Sequence, residues 1–184
     1  MQEVRREMLL AKATELLQSG KVNRVLGWKR GEFEYDVTPA VFSDAQELSQ
    51  ELVYGDFCGA NLSKYLVKET QKEEGTVLVF LKPCDTYSFN QLLTEHRFPR
   101  ERVYAVGIPC SGMLDVEKVR AAAGGLVGVN TDAADTVTLV TLYDGTRTLA
   151  REALLPDRCL HCKSKHHVAY DELLGKDGEV LDSH

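Results

Sequence analysis

Two short apolar stretches, each ending in a Pro–Cys pair, constrain the fold of this chain more than any other feature. Residues 75–84 read GTVLVFLKPC, and residues 102–110 read RVYAVGIPC. Neither alternates polar with apolar residues, which is typical of strands buried on both faces of a parallel sheet. A helix is expected between them, from about residue 85 to 96, and such strand–helix–strand units are right-handed. Cys84 and Cys110 should then lie side by side at the carboxyl ends of the strands, where α/β sheets bind ligands.

The rest of the chain predicts helices and short strands around this unit. The first nineteen residues have helical periodicity, with Val4, Met8, Ala13, Leu16 and Leu17 near one face and Gly20 as the stop. The other expected elements are strands at 22–28 and 33–37 around a turn at 29–31, helices opening at Ser43 and near Asn61, a helix at 115–123, and a hairpin turning at Asp144–Gly145. The glycines of AAAGGLVG at 121–128 indicate a helix stop and not a dinucleotide fingerprint.

These elements predict an α/β fold with a mixed, partly parallel sheet, flanking helices and cysteine loops at strand carboxyl ends. We expect a single domain over residues 1–184, with a helix and hairpin portion at about 1–72 and a strand–helix–strand portion at about 73–184.

Charge and hydropathy exclude several classes of function. The net charge of −6 argues against non-specific nucleic-acid binding and would suit a basic redox partner. No apolar stretch approaches the roughly 20 residues that span a bilayer, so no membrane insertion is expected. The N-terminal residues resemble an amphipathic helix and not a signal peptide, and we therefore expect a cytoplasmic protein.

Five cysteines in such a chain are more typical of ligands or reactive groups than of disulfides. Cys159 and Cys162 form a CxxC pair that can join Cys84 and Cys110 in a tetrathiolate site for zinc or an iron–sulfur cluster. Structural zinc usually takes two local pairs, whereas here one pair combines with two isolated cysteines. Two other interpretations remain open: inert buried thiols at 84 and 110, or a redox dithiol at Cys159 and Cys162.

Several segments resemble one known family. FLKPCDTYSFNQLL, VYAVGIPCSGM and RCLHCKSKHHVAYDELLG occur in the order of motifs found in the coenzyme F420-reducing hydrogenase and dehydrogenase beta-subunit family, and GKVNRVLGWKRGEFEYDVTPAVFSDAQEL is similar to the family's opening. The resemblance runs from about residue 8 to 175. It implies an anaerobic electron-transfer subunit with a 4Fe-4S cluster, and FAD in several members. The implied partners are hydrogenase, formate dehydrogenase or heterodisulfide-reductase-like subunits of a multi-subunit complex.

Carried over onto this sequence, the resemblance implies that Cys84, Cys110, Cys159 and Cys162 are the cluster ligands. Cys58 would be a structural thiol near the site or an alternative ligand. No residue is expected to be catalytic, since the subunit would pass electrons without changing bonds in a substrate. The alternative is a structural zinc site in a scaffold subunit. His161, His166 and His167 are expected in a solvated polar loop beside the CxxC pair.

Overall fold

The computed structural model describes residues 2–131, 133–141, 143 and 145–175. The elements in chain order are α1 (Gln2–Gln18), β1 (Arg24–Arg30), β2 (Val37–Phe42), α2 (Ala45–Glu51), β3 (Leu52–Val53), α3 (Leu66–Lys72), β4 (Val77–Leu81), α4 (Asp85–Thr94), β5 (Val103–Gly107), α5 (Val116–Ala123), β6 (Leu126–Asn130), β7 (Thr136–Thr141), β8 (Gly145–Ala150), α6 (Asp157–Leu160) and β9 (Glu172–Leu173). Short 3-10 turns lie at Ser63–Tyr65, Arg100–Arg102 and Arg151–Leu154.

The larger sheet has the strand order β2-β1-β4-β5-β9, and β3 pairs with β1. The pairs β1–β4, β4–β5 and β5–β9 are parallel, whereas β2 and β3 run antiparallel to β1. This arrangement confirms the predicted mixed, partly parallel sheet with flanking helices. Because β1 pairs with β4, strands from residues 1–72 and 73–184 share one sheet. The division of the single domain at about residue 72 stays a prediction.

The parallel pair β4–β5 forms the centre of the core, as its apolar sequences predict. Val77 pairs with Val103 and Leu81 with Gly107. Every side chain of β4 is inaccessible to solvent, with 0% exposure. Burial of both faces explains why neither strand alternates polar with apolar residues.

Helix α1 covers the sheet through a face that includes the predicted Ala13 and Leu16 but not Met8. Leu9, Ala13 and Leu16 are buried, whereas Met8 is 36% exposed. The expectation at Met8 was therefore wrong, because the sheet lies on the Leu9 side of the helix. The helix ends as predicted near Gly20, which has a φ of +73°. The predicted contribution of the Val4 side chain lies outside the described residues.

The first hairpin is displaced along the chain from its predicted position. Its strands span 24–30 and 37–42, and the turn covers residues 31–36 instead of 29–31. The polar residues Lys29 and Arg30 continue β1 at its exposed end, pairing with Thr38 and Val37. Pro39 is accommodated because β2 is an edge strand. The following helix is capped by Asp44, not by Ser43.

A smaller antiparallel sheet, in the order β6-β7-β8, packs against α5 around a second core. Leu114, Val119, Val137, Leu139 and Leu154 belong to this core. The predicted hairpin strands are present, and Asp144 of its turn lies outside the described residues. Strand β6 was not predicted, because Gly124 ends α5 in a left-handed conformation and the chain enters a strand almost at once. In the part of the chain that the structure describes, no helix is long and apolar enough to span a membrane.

Candidate metal centre at the ends of the parallel strands

One cavity of about 650 Å³ collects four of the five cysteines. Cys84, Cys110, Cys159 and Cys162 all line it. The cavity opens beyond the carboxyl ends of β4 and β5, where ligands bind in parallel sheets. Its other walls carry polar and charged side chains: Asn61, Lys64, Lys82, Asp85, Glu152, Arg158, Lys165 and His167.

Cys84 is held by a tight turn between β4 and α4. The Asp85 amide donates to the Lys82 carbonyl over 2.9 Å, and the Asp85 carboxylate accepts from the Lys82 amide over 3.2 Å. The Asp85 side chain does not cap α4: it turns back to Lys82, and Cys84 occupies the N-cap position. The Cys84 thiol lies 3.7 Å from the second carboxylate oxygen of Asp85, at the mouth of the cavity.

Cys110 lies on the loop that follows β5. The Ile108 amide donates to the Leu81 carbonyl over 2.9 Å, which keeps this loop against the end of β4. The buried Tyr54 hydroxyl donates to the Pro109 carbonyl over 2.7 Å. Gly112 then turns the chain with a φ of +91°, a conformation that favours glycine. These contacts hold Cys110 beside Cys84.

Cys159 and Cys162 come from a separate segment that reaches the cavity from the other side. Cys159 lies within α6, and Cys162 follows it in a turn whose amide donates to the Cys159 carbonyl over 3.3 Å. The Cys159 side chain lies close to Gly112 in the loop after β5, since a Cβ added at Gly112 would be 3.7 Å from the Cβ of Cys159. Because α6 ends at Leu160, before Cys162, the pair does not form the arrangement in which one helix begins at the first cysteine and contains the second.

His167 anchors this segment to the strand ends, in contrast to the solvated position expected from the sequence. Its Nε2–H donates to the Leu81 carbonyl over 3.0 Å and to the Ile108 carbonyl over 3.1 Å. Just before β9, the Asp171 amide donates to the Ala105 carbonyl over 2.7 Å and brings the chain alongside β5. The half-buried His167 is thus part of the cavity wall, whereas His161 and His166 are exposed.

Burial has the largest effect on the pKa of Cys84 and Cys110, two of the thiols that line the cavity. It raises the pKa of Cys84, with a further increase from the Asp85 carboxylate, and it also raises the pKa of Cys110. The Lys82 ammonium opposes both increases by favouring the thiolates. Since metals bind thiolate sulfur, a metal has to displace these protons when it binds.

Cys58 lies in different surroundings from the other four cysteines. It is 1% exposed and lines a separate cavity of about 700 Å³. Its sulfur accepts a hydrogen bond from the Gly55 amide at 3.4 Å, and burial raises its pKa to about 12. The role of Cys58 as an alternative ligand stays a prediction, and its position is that of a packed core thiol.

Lys82 is the site residue that sequence reasoning missed. Its ammonium pairs with Asp85 at 2.7 Å, although both side chains are almost inaccessible to solvent, with 3% and 5% exposure. It also lies 4.9 Å from the centre of the Trp28 ring. A lysine directly after an apolar strand is usually solvated, and nothing in the local pattern indicates that Trp28 and Asp85 enclose it.

The donor set fits a sulfur-ligated centre in its chemistry. Four thiols around one cavity are the soft ligands that zinc and iron–sulfur clusters favour. Among the described residues, however, no three cysteine, histidine, aspartate or glutamate side chains are grouped as closely as a metal ion requires.

Comparisons with known proteins relate the chain to coenzyme F420-linked oxidoreductases. No known family model matches it. It is 28% identical over 99 residues to the F420-dependent formate dehydrogenase subunit beta of Methanocaldococcus jannaschii, an alignment that covers 54% of this chain and 26% of that protein. Its fold is similar, with a TM-score of 0.62 and 14% identity, to a chain in the xenon-derivatized F420-reducing [NiFe] hydrogenase complex from Methanosarcina barkeri, covering 83% of this chain and 57% of that one.

The chain thus spans about a quarter of the sequence relative and little more than half of the structural one. The first comparison rests on sequence, and the second concerns the fold. The sequence comparison supports the resemblance drawn from the motifs at the level of an F420-related oxidoreductase subunit, and the structural comparison supports the fold.

Proposed function

We propose that this protein is an electron-transfer subunit or domain of an anaerobic oxidoreductase complex and binds one 4Fe-4S cluster. Cys84, Cys110, Cys159 and Cys162 would be the ligands. The observation that carries the proposal is their convergence on one cavity from three separate parts of the chain. Four cysteines whose only function was packing would have no reason to meet at the strand ends.

The chain's own residues would hold and shield the centre. The turns after β4 and β5 present one ligand each, and the segment anchored by His167 presents the CxxC pair. When bound, the cluster supplies a one-electron couple. Its potential depends on net charge, on hydrogen bonds to sulfur and on burial, and the walls of the cavity contribute to all three.

The relatives suggest which partners exchange electrons with this site. One is named as a formate dehydrogenase subunit, and the other belongs to a hydrogenase complex. We infer that this chain receives one electron from one redox centre of such a complex and passes it to another. A bound FAD, as the family resemblance implies, would be one such partner group.

Structural zinc is the second candidate, since four thiolates suit this ion equally well. In that case the chain would be a scaffold subunit without a redox role. The first experiment is anaerobic purification of the full chain, followed by iron, sulfide, zinc and flavin analysis of one sample. We expect about four irons and four sulfides per chain, with broad brown absorption. One zinc without sulfide would instead establish the scaffold function and refute electron transfer.

Variants then test the ligand set. Cys84→Ser and Cys110→Ser should each lose the bound iron, because each removes a thiolate that no other residue of the turn supplies. Cys58→Ala is the matched control, since it removes a buried thiol outside the cavity and should retain the iron. Iron retained in both serine variants, or lost only in Cys58→Ala, would show that the ligands were assigned wrongly.

A further inference from the structure

A buried ion pair forms part of the wall of the cysteine cavity. Lys82 and Asp85 flank Pro83 and Cys84 in the turn after β4, and both charged residues line the cavity. The distance between the Lys82 Nζ and the Asp85 Oδ2 is 2.7 Å. A positive and a negative charge are therefore fixed next to a proposed ligand, on opposite sides of it in the sequence.

The surrounding contacts fix the Lys82 ammonium. It donates to the Ala60 carbonyl over 3.3 Å, and the same carbonyl accepts from the Trp28 indole over 3.3 Å. The ammonium also lies over the Trp28 ring, at 4.9 Å from its centre. With a carboxylate, a carbonyl and an aromatic face around it, this cation has little freedom to move out to solvent.

Asp85 makes equally specific contacts. One carboxylate oxygen accepts from the Lys82 ammonium and from the Lys82 amide. The other oxygen lies 3.7 Å from the Cys84 sulfur. The carboxylate consequently faces the ligand on one side and the cation on the other.

Stability alone gives no reason to place an ion pair here. Replacing a buried ion pair with apolar side chains of similar volume is often neutral or stabilising, because both charges must leave water. The turn lies between the apolar strand β4 and the buried Phe89 of α4, so the neighbouring buried positions are occupied by apolar side chains. The position of the pair beside the thiols calls for an electrostatic role.

We propose that Lys82 and Asp85 are opposing charges that set the reduction potential of the cysteine-bound centre. The inference rests on the proposed function and extends it to residues that need not touch the cluster. Reduction adds one negative charge to a centre that is already anionic through its thiolates. The Lys82 ammonium stabilises this added charge and raises the potential, whereas the Asp85 carboxylate opposes it and lowers the potential.

Three substitutions and their combination test this in the full chain purified anaerobically. Lys82→Met should lower the midpoint potential, and Asp85→Asn, which retains the shape of the side chain, should raise it. Each shift should be about tenfold in the reduction equilibrium, or about 59 mV for a one-electron couple. Lys82→Arg retains the charge and should remain close to the wild type.

The double variant Lys82→Met/Asp85→Asn separates charge from damage to the fold. Opposing charges predict that its two shifts cancel, so that its potential returns towards the wild type. If the substitutions act by disrupting the turn, both single variants should shift the potential in the same direction, and the double variant should shift it further. The measurement is a mediated spectroelectrochemical titration, with iron content and melting temperature recorded for each variant.

The outcomes distinguish this inference from the proposed function. If the wild type contains no iron and sulfide, the proposed function fails, and the inference fails with it. If the wild type contains the cluster and the iron-containing variants have unchanged potentials or shifts of one sign, only the inference is overturned. Should Lys82→Met fail to incorporate iron, a raised potential in Asp85→Asn still supports the proposal, and an unchanged one refutes it.

Discussion

His167 is the residue whose removal most directly tests how the cysteine segment is anchored. We predict that His167→Ala destabilises the fold and loosens the CxxC segment. The imidazole Nε2–H serves two carbonyls, those of Leu81 at 3.0 Å and Ile108 at 3.1 Å. These carbonyls lie at the ends of two neighbouring strands, so one side chain ties the third segment to both.

The magnitude follows from the loss of two hydrogen bonds. Only the Ile108 carbonyl depends on His167 for its donor, because the Leu81 carbonyl keeps the Ile108 amide as a donor at 2.9 Å. Each net hydrogen bond contributes about 1 kcal/mol, and a buried carbonyl without a partner costs about 1–3 kcal/mol. Because His167 is only half-buried and one donor is shared, we expect a loss of about 2 kcal/mol. For a chain of this size, this corresponds to a fall in Tm of about 4–8 °C.

Thermal unfolding followed by circular dichroism measures this change. His161→Ala is the control, because His161 belongs to the same segment and is exposed, and it should melt within about 2 °C of the wild type. His167→Gln retains a donor at the end of the side chain and should fall between the two. Equal melting temperatures for His167→Ala and His161→Ala would refute the anchoring role, as would unchanged iron retention in His167→Ala during a chelator challenge.

Two further predictions concern ion pairs outside the cavity. The buried Arg151 pairs with Asp56 and donates to the Gly112 carbonyl over 3.0 Å. Arg151→Met should therefore lower the free energy of unfolding, measured in urea, by about 3–5 kcal/mol. A decrease below about 1 kcal/mol would contradict this prediction. The Lys12 Nζ lies 2.7 Å from the Glu172 carboxylate, and this hydrogen bond and ion pair lower the pKa of Glu172 below its usual 4.5. The stability that the pair contributes is therefore present above pH 4.5 and is lost as the pH falls through the lower pKa of the folded state. This partly exposed pair contributes under about 1 kcal/mol, and acid titrations of stability should show a smaller loss in Lys12→Met than in the wild type, whereas superimposable curves would exclude the linkage.

The strands that dominate the core were predictable because their burial is recorded in their own residues. Val77–Leu81 and Val103–Gly107 are uninterrupted apolar runs, and the sheet buries both faces of each. Elements whose place depends on distant partners were not predictable in the same way. Strand β9 has two residues and exists because β5 offers a free edge, and β6 exists because β7 pairs with it.

The first hairpin shows the same dependence on a pairing partner, here between two strands that are neighbours in the sequence. Its two strands were expected, but the turn was placed too early, since the Lys–Arg–Gly sequence resembles a turn when it is considered alone. In the folded protein β1 continues through Lys29 and Arg30 because β2 supplies partners for them. Pairing across a sheet outweighs the local preference of polar residues.

The candidate site also contains some residues that the sequence predicted and others that it did not. The sequence by itself determined that Cys84 and Cys110 end adjacent parallel strands and that Cys159 and Cys162 form a local pair, because strand direction and short spacing are local properties. Only the tertiary structure decided that His167 joins the strand ends and that Lys82 is enclosed by Trp28 and Asp85. Hydrogen bonds and desolvated charges depend on neighbours far apart in the chain, and no local pattern of residues encodes those distances.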